Sequence, residues 1–301
     1  MFNSFRYQEL LRKQDKPYLV LADHLWTVYQ RMVIPVGPIN QDYSVSIKDT
    51  QCLLKYFKKA VLVRTTRGFL DSPKEWYCII SDKYVDMEEM SGNVRSKIKR
   101  GLKNCLIKEI NMKIMKQEGW SVFSSAFKRY KNTRLTMTEA QFHKDIIIDG
   151  FDDIIHYWGV FEKESGKLIG YVQNFLYNKI EVKCGDIRFH PDYLRLYSSY
   201  ALFYEMSRYY LVKNKFSFVN NGFRNLLHET NMQDFLVDRL HFRKQAVGLR
   251  VYYRPLIKCL LSLAYPFRHI LGKCYPTLAA VYKMDAIIES FNNKHSLENR
   301  L

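Results

Sequence analysis

One stretch of the chain collects the side chains best suited to acid–base chemistry. Residues 220–231 contain a histidine, a glutamate and an arginine, which are His228, Glu229 and Arg224. A histidine or a carboxylate accepts a proton from an attacking group, and a guanidinium orients an anionic part of a substrate. We therefore predict that His228 or Glu229 is a catalytic base, and that Asn221 and Arg224 contact the substrate.

The same residues also fit a purely structural role, and the sequence leaves both interpretations open. Thr230 or Asn231 is a suitable cap for a following helix, and Glu229 favours the positive end of the helix dipole. His228 is then structural. The remaining histidines are scattered and the six cysteines form no close pair, so no spacing indicates a metal site and no metal is predicted.

A second candidate site lies where a predicted hairpin leads into a helix, between residues 168 and 210. Two apolar strands, joined near Asn178, are followed by Pro191-Asp192 and a long helix. The first turn of a helix offers unpaired N–H groups and a positive dipole end, which together hold phosphate. The predicted cofactor-binding residues are those around this first turn: Arg195, Tyr197, Ser198, Ser199 and Tyr200.

A strongly basic helix is predicted to begin near Val85 and to continue to Leu102, followed by a strand. Its apolar residues recur at helical spacing on one side, and Arg95, Lys99 and Lys103 share another side. We predict Arg95 and Lys99 as substrate contacts, because a cationic helix binds tRNA, a phosphorylated sugar lipid or an anionic membrane. A solvated helix face is the alternative.

The composition indicates a globular chain with an anionic partner. The chain has 301 residues and is 47% hydrophobic, and Lys+Arg exceed Asp+Glu by 47 − 30 = 17. This surplus indicates nucleic acid, an acidic membrane face or a phosphate-bearing cofactor, and a solubilising surface is the alternative. The first residues carry no signal peptide and the cysteine usage suits a reducing compartment, so the cytoplasm is the expected location.

The hydrophobic periodicity from residue 76 predicts the order β-α-β-α-α-β-β-β-α-β-α-β. Antiparallel strands followed by a β-α-β-α-β ending indicate the α/β class, with a central mixed β-sheet flanked by helices. We predict three segments: a partial or lid region over 1–75, the main domain over 76–254, and an amphipathic helical tail over 255–301.

This order resembles the GNAT superfamily of acyl-CoA N-acyltransferases, and within it the FemAB-like branch of peptidoglycan aminoacyltransferases. The resemblance covers residues 76–253. It rests on the basic helix Asn93–Lys103 followed at once by a strand, on the hairpin around Gly170 leading into a helix, and on the closing helix and strand from His228 to Tyr253.

The resemblance implies an N-acyltransferase with acyl-CoA, either acetyl-CoA or a longer one, as co-substrate, or with aminoacyl-tRNA as the donor in the FemAB-like branch. It implies an acceptor amine or hydroxyl on a small molecule or a cell-envelope or polysaccharide precursor. The glycine turn of the superfamily is replaced here by Leu194–Leu202, in which Ser198 and Ser199 are the expected substitute donors. The alternative is a non-catalytic module that binds nucleic acid or anionic membrane through its basic surface.

The tail combines apolar and basic residues between 255 and 282, interrupted by Pro266 and Pro276. It contains no apolar run long enough to predict a spanning helix. The pattern suits peripheral contact with the inner face of an anionic membrane, and it equally suits packing on the domain or on a partner. The oligomeric state stays open at this stage.

Overall fold

The computed structural model describes residues 4–71, 76–127, 137–146, 149–226, 231–275 and 278–287. The strands of this described part are β1 Tyr18–Leu21, β2 His24–Tyr29, β3 Met32–Val36, β4 Leu62–Phe69, β5 Tyr77–Ser81, β6 Cys105–Ile110, β7 Ile155–Glu162, β8 Leu168–Tyr177, β9 Glu181–Phe189, β10 Phe218–Phe223 and β11 Arg243–Tyr253. The α-helices are α1 Phe5–Lys13, α2 Ile47–Tyr56, α3 Gly92–Asn104, α4 Met112–Ile114, α5 Trp120–Phe127, α6 Glu139–Asp145, α7 Ser198–Ser207, α8 Asn231–Leu240, α9 Pro255–Ala264 and α10 Arg268–Cys274.

The chain folds into two compact units that interleave along the sequence. The first unit comprises Tyr7–Cys78, Phe223–Asn231 and Gln245–Leu301. The second unit comprises Met1–Arg6, Ile79–Gly222 and Met232–Lys244. The three segments predicted from the sequence are each continuous, whereas each of these units is assembled from three separate stretches of the chain.

The first unit is built on strands in the order β1-β2-β3-β4-β11. Strands β1 to β3 form an antiparallel meander, β3 and β4 are parallel, and β4 and β11 are antiparallel. Helix α2 begins at a capping box, in which Ser46 and Asp49 bond each other's backbone N–H groups. Its apolar side packs Leu53, together with Trp26 and Val33 of the meander, into a buried core.

Arg254 holds the end of α2 in the first unit. Its guanidinium donates to the carbonyl oxygens of Leu54, Phe57, Lys58 and Ala60, with Nε 2.6 Å from the Ala60 oxygen. The last carbonyls of a helix have no partner within the helix, and a cation there also complements the negative end of the dipole. One side chain thus satisfies several backbone acceptors at once.

We expect Arg254→Ala to lower the free energy of unfolding by about 2–4 kcal/mol, because several partly buried carbonyls lose a charged donor. Arg254→Lys keeps the charge but lacks the planar fork of donors, so it should recover less than half of the loss. Urea unfolding of the full chain measures both. Lys55→Ala, at an exposed position of α2, is the control, and equal effects at the two positions would contradict the assignment.

The second unit contains the order β5-β10-β9-β8-β7-β6, in which β6 to β9 are antiparallel and β9 and β10 are parallel. Helices lie on both faces of this mixed sheet. Trp158 contacts Tyr210, beyond the end of α7, while its neighbour Tyr157 bonds the carbonyl of Ile146 after α6. Adjacent strand residues point to opposite faces, so α7 and α6 lie on opposite sides. The predicted mixed sheet flanked by helices is confirmed.

A buried tyrosine fixes the far end of α7 on the sheet. The helix continues beyond Ser207 as a π-helical turn, Arg208–Lys213, which contains Tyr210. The Tyr210 hydroxyl accepts from Trp158 Nε1 at 3.1 Å and lies 3.2 Å from His156 Nδ1. Burial lowers the pKa of His156, so this ring is neutral at pH 7.

Several predicted boundaries were wrong. The basic helix begins at Gly92 instead of near Val85, because Asp86 caps a separate 3₁₀ turn and Met90 is extended. The apolar residues over 49–63 recur at helical spacing, but helix α2 ends at Tyr56, because the Val61 N–H already donates to the carbonyl of Arg31 beside β3. Asn220-Asn221-Gly222 is a sequence typical of a turn after a strand, but it lies within β10.

Candidate functional site

The two parallel strands of the second unit separate after a short pairing. Strands β9 and β10 are paired only where Glu181 to Lys183 lie opposite Phe218 to Asn220. Strand β9 continues to Phe189 and stays paired with β8 along its other edge. Within the described residues, the β10-side edge of 184–189 therefore has no partner strand.

A β-bulge in β9 changes the direction of the side chains in this unpaired segment. The register between β8 and β9 shifts between Val172 and Asn174, where β9 carries one extra residue. Gly185 sits in the bulge, and a Cβ there would lie 2.7 Å from the ring of Phe175. A bulge bends its strand and turns the following side chain, which here is Asp186.

Asp186 is the central residue of a buried polar cluster formed by Tyr171, Asp186 and Arg188, called the Asp186 cluster. The Tyr171 hydroxyl donates to Asp186 Oδ2 at 2.5 Å, and Arg188 Nη2 lies 2.7 Å from Asp186 Oδ1. The Arg188 guanidinium also lies over the rings of Phe123 and Phe127 on α5, at 5.0 and 5.1 Å. The side chain of Asp186 is only 12% exposed.

The surroundings of Asp186 tune its affinity for a proton. Burial raises the pKa of its carboxyl, and the Arg188 charge and the Tyr171 hydrogen bond oppose that rise only in part. Burial likewise raises the pKa of Tyr171. A carboxyl with a raised pKa is a stronger base once it is ionised, and such groups concentrate at catalytic sites. The Asp186 cluster is therefore a candidate proton acceptor.

A second, separate feature is the start of α7, which follows the 3₁₀ turn Pro191–Leu196. Helix α7 packs on the sheet face opposite to the one that carries Tyr171 and Asp186. Tyr197 occupies the N-cap position in the left-handed conformation, with φ 58° and ψ 34°. A non-glycine residue in this conformation costs about 1 kcal/mol, so the surrounding contacts must hold it there. The N–H groups of the first turn of α7 follow directly.

Two cations of the basic helix α3 gather at this helix start. The Arg100 guanidinium lies 4.7 Å from the centre of the Tyr197 ring, and its Nη1 lies 3.5 Å from the Tyr197 hydroxyl. Lys97 Nζ lies 5.5 Å from the ring of Tyr200. We call Lys97, Arg100, Tyr197 and Tyr200 the cation–tyrosine cluster. Positive charge beside a helix N-terminus is an environment that attracts phosphate.

A glycine permits this close approach of α3 and α7. A Cβ on Gly101 would lie 2.7 Å from the carbonyl oxygen of Tyr197 and 2.9 Å from the Cβ of Ala201. Real Cβ atoms do not come so close to backbone oxygen, so the contact requires glycine. The contact holds the cations of α3 over the tyrosines of α7.

The predicted cofactor-binding residues surround the cation–tyrosine cluster. Tyr197 and Tyr200 belong to it, Arg195 is exposed on the preceding turn, and Ser199 is partly exposed. Ser198 is buried. The assignment of all five residues to a donor stays a prediction, which their position at the start of α7 supports.

The predicted substrate contacts are dispersed. Arg95 Nη2 donates to the carbonyl oxygens of Glu88 and Met90 at 3.4 and 3.2 Å, which ties the start of α3 to the preceding turn. Lys99 is exposed on α3. In the first unit, the Arg224 guanidinium lies 5.8 Å from the centre of the Tyr77 ring.

The remaining predicted residues lie next to or outside the described site. Asn221 is on β10 beside Cys184, whose pKa burial raises to about 12 while the Asn221 amide partly lowers it. That thiol is protonated at neutral pH. His228 and Glu229 lie outside the described residues. Within the described chain, no group of His, Cys, Asp and Glu side chains is arranged to hold a metal ion.

These features define an α/β fold in which the parallel pairing of two strands is short and a helix follows the longer strand. No protein-family model and no curated protein matches the sequence. Solved structures do share its fold.

FemX superposes with a TM-score of 0.53 at 10% identity, over 86% of this chain and 93% of that one. A second similar structure is the C-terminal domain of a protein described as a lysylphosphatidylglycerol synthetase, from Agrobacterium fabrum. Its TM-score is 0.52 at 13% identity, and the match covers 85% of this chain and 90% of that one. L-PGS from Bacillus licheniformis has a TM-score of 0.51 at 11% identity, and the match covers 89% of this chain and 95% of that one. The resemblance to FemAB-like proteins predicted from the sequence is confirmed at the level of the fold.

Proposed function

We propose that this protein is an acyl-group transferase that moves an aminoacyl group from charged tRNA to an amine or hydroxyl of a cell-envelope precursor or lipid. The observation that carries the proposal is the cation-flanked start of α7, which follows β9 in the chain. Asp186, on the part of β9 that has no parallel neighbour, is the candidate base. The shared fold supports the proposal, and one neighbour is named for making lysylphosphatidylglycerol. In that product a lysyl group is joined to a lipid.

The proposed reaction is nucleophilic attack on an ester carbonyl. The acceptor amine or hydroxyl attacks the aminoacyl carbon, and Asp186 takes the proton that the acceptor loses. The tetrahedral intermediate collapses, a new amide or ester bond forms, and the ester bond to the tRNA ribose breaks. The proton then passes to the departing ribose oxygen. His228 and Glu229 remain the alternative bases proposed from the sequence.

The start of α7 favours a nucleic-acid donor over coenzyme A. A site that binds the pyrophosphate of coenzyme A needs backbone that the ligand can approach closely, and glycine residues provide this access. Here Tyr197 and Tyr200 cover this position and Ser198 is buried. Aromatic rings flanked by Lys97 and Arg100 suit the stacked bases and phosphates of a tRNA end. Acyl-CoA, whether acetyl-CoA or longer, is the second donor to be tested.

We expect Lys97→Ala combined with Arg100→Ala to weaken tRNA binding about tenfold or more and to reduce its salt slope by about 2, because two phosphate contacts are lost. Filter binding with charged tRNA, across a salt series, measures both quantities. The matched control is Lys48→Ala with Lys55→Ala, which removes two exposed cations of α2 and should change affinity less than about twofold.

Thermal-shift measurements with acetyl-CoA and longer acyl-CoAs complete this test, because a ligand specific for the folded state raises the melting temperature. The proposal predicts no shift that depends on Lys97 and Arg100. A shift that disappears in the double variant, together with unchanged tRNA binding, would replace tRNA by coenzyme A as the donor.

A further inference from the structure

The exposed apolar side chains of this protein are concentrated in one short segment. Of the fourteen large hydrophobic side chains that are well exposed in the described part of the chain, seven lie between residues 255 and 275. They are Leu256, Leu260, Leu263, Tyr265, Phe267, Ile270 and Tyr275. Isolated exposed apolar residues are ordinary, but a contiguous group of this size marks an interaction surface.

Five of these residues follow helical spacing. Leu256, Leu260, Leu263, Phe267 and Ile270 are separated by steps of four, three, four and three, and their exposed fractions lie between 53% and 70%. The spacing places residues of one helix on the same side. We call these five residues the outer stripe. It runs along α9 and α10, across the 3₁₀ turn Tyr265–Phe267 that joins them.

The other side of the same helices is half-buried against the rest of the tail. A helix over residues 278–287 lies against it, with Tyr282 donating to the carbonyl of Leu261 at 3.4 Å and its ring 5.7 Å from that of Tyr265. The Tyr253 hydroxyl donates to Asp285 of that helix at 2.6 Å. The tail is therefore anchored on one side, and the outer stripe lies on the exposed part of its surface.

The positive charge around the outer stripe indicates that its partner is anionic. From Gln245 to Met284 the chain contains no Asp or Glu, and its six cations are Arg250, Arg254, Lys258, Arg268, Lys273 and Lys283. A second copy of this surface would bring cations against cations. An anionic bilayer instead pairs apolar insertion with charge attraction, and Tyr265 and Tyr275 suit its interface.

We propose that α9 and α10 lie in the surface of an anionic membrane, with the outer stripe inserted at the headgroup boundary. Within the described residues, no helix is both long enough and apolar enough to cross a bilayer. The contact is therefore peripheral. It does not depend on the transfer reaction, so the proposal stands or fails separately from the proposed function.

The test is flotation of the full-length protein with vesicles of phosphatidylcholine, with and without phosphatidylglycerol. The protein should float with the anionic vesicles and partition at least about tenfold less onto neutral ones, and about 0.5 M salt should remove most of the difference. Leu260→Ser, Leu263→Ser and Ile270→Ser together should reduce partitioning about tenfold or more.

Two matched controls keep the test specific. Val20→Ser with Ile47→Ser removes exposed apolar side chains elsewhere in the first unit and should leave flotation unchanged. Lys258→Glu with Lys273→Glu should weaken flotation about fivefold or more, whereas Lys48→Glu with Lys55→Glu should have less than half that effect. The charge variants retain every apolar contact, so they decide the question even if the serine variant unfolds.

Absence of flotation with anionic vesicles would overturn the proposal, and so would flotation that is indifferent to both the stripe and the charge variants. Light scattering on the same samples tests whether a second copy of the chain, instead of a membrane, covers the outer stripe. A dimer in the unaltered protein that becomes a monomer in the serine variant would assign the outer stripe to a second copy of the chain instead.

Discussion

Asp186→Asn is expected to lower the rate of acyl transfer by about 10²–10⁴-fold while leaving the protein folded, because the variant loses the proposed proton acceptor. Asparagine has nearly the same shape, and its carbonyl oxygen still accepts the Tyr171 hydrogen bond. The assay follows a labelled amino acid from charged tRNA into a lipid and envelope-precursor extract. Circular dichroism and urea unfolding verify the fold.

The pH dependence provides a second readout for Asp186. A base acts in its ionised form, so the rate should rise as the pH increases through the pKa of Asp186. Burial raises that pKa, and the ascending limb should therefore lie above the range of an ordinary aspartate. The residual activity of Asp186→Asn should lack this limb, whereas a merely structural effect would lower the whole profile without changing its shape.

Glu181→Gln is the matched control for Asp186→Asn. Glu181 is a buried carboxylate on the same strand, and its Oε1 accepts from Asn220 Nδ2 at 2.8 Å where β9 and β10 are still paired. A glutamine keeps this hydrogen bond, so activity should stay within about threefold of the unaltered protein. Equal loss in both variants, or full activity of Asp186→Asn, would contradict the assignment.

Gly101→Ala is expected to destabilise the protein by about 1–3 kcal/mol, although alanine is the better helix former. The added Cβ meets the Tyr197 carbonyl oxygen and the Ala201 side chain, and backbone there cannot yield as a flexible side chain does. Helices α3 and α7 must separate, and Arg100 then moves away from the Tyr197 ring. The variant should also lose tRNA affinity about as strongly as the double variant at Lys97 and Arg100.

Gly92→Ala isolates the cause of that effect, because it makes the same substitution in the same helix. Nothing lies within 4 Å of the position that a Cβ on Gly92 would occupy. This variant should be neutral or more stable by up to about 1 kcal/mol. Urea unfolding of the pair decides: if Gly101→Ala is as stable as Gly92→Ala, the close packing of α3 on α7 is not required.

The order of elements from residue 76 was predictable because periodicity and turn residues are local signals. Strand β8, the turn at Asn178 and strand β9 follow the predicted hairpin. Thr138 caps α6 by accepting from the Gln141 N–H, at the spacing of a capping box that the sequence shows directly. The start of α3 was not predictable in the same way. A 3₁₀ turn and an α-helix both bring residues three apart together, so the methionines before Gly92 fit either.

The candidate site was predictable only in part, because its geometry depends on contacts between distant residues. The tyrosines of α7 were identified from the sequence, but the cations predicted on α3 were Arg95 and Lys99 instead of Lys97 and Arg100. The proximity of the two helices rests on Gly101, whose role no local signal in the sequence indicates. Asp186 was missed. Nothing local indicates that β9 loses its parallel neighbour after Lys183, or that Tyr171 and Arg188 enclose the carboxyl.

The most direct test of the account is whether the purified protein transfers an acyl group. Labelled aminoacyl-tRNA and, in parallel, labelled acetyl-CoA are incubated with an envelope-precursor and lipid extract, and label in the acceptor fraction is counted after the donor is digested. We expect transfer from aminoacyl-tRNA that is lost in Asp186→Asn. No transfer from either donor, by a protein that still binds tRNA or anionic vesicles, would contradict it and identify a non-catalytic binding module.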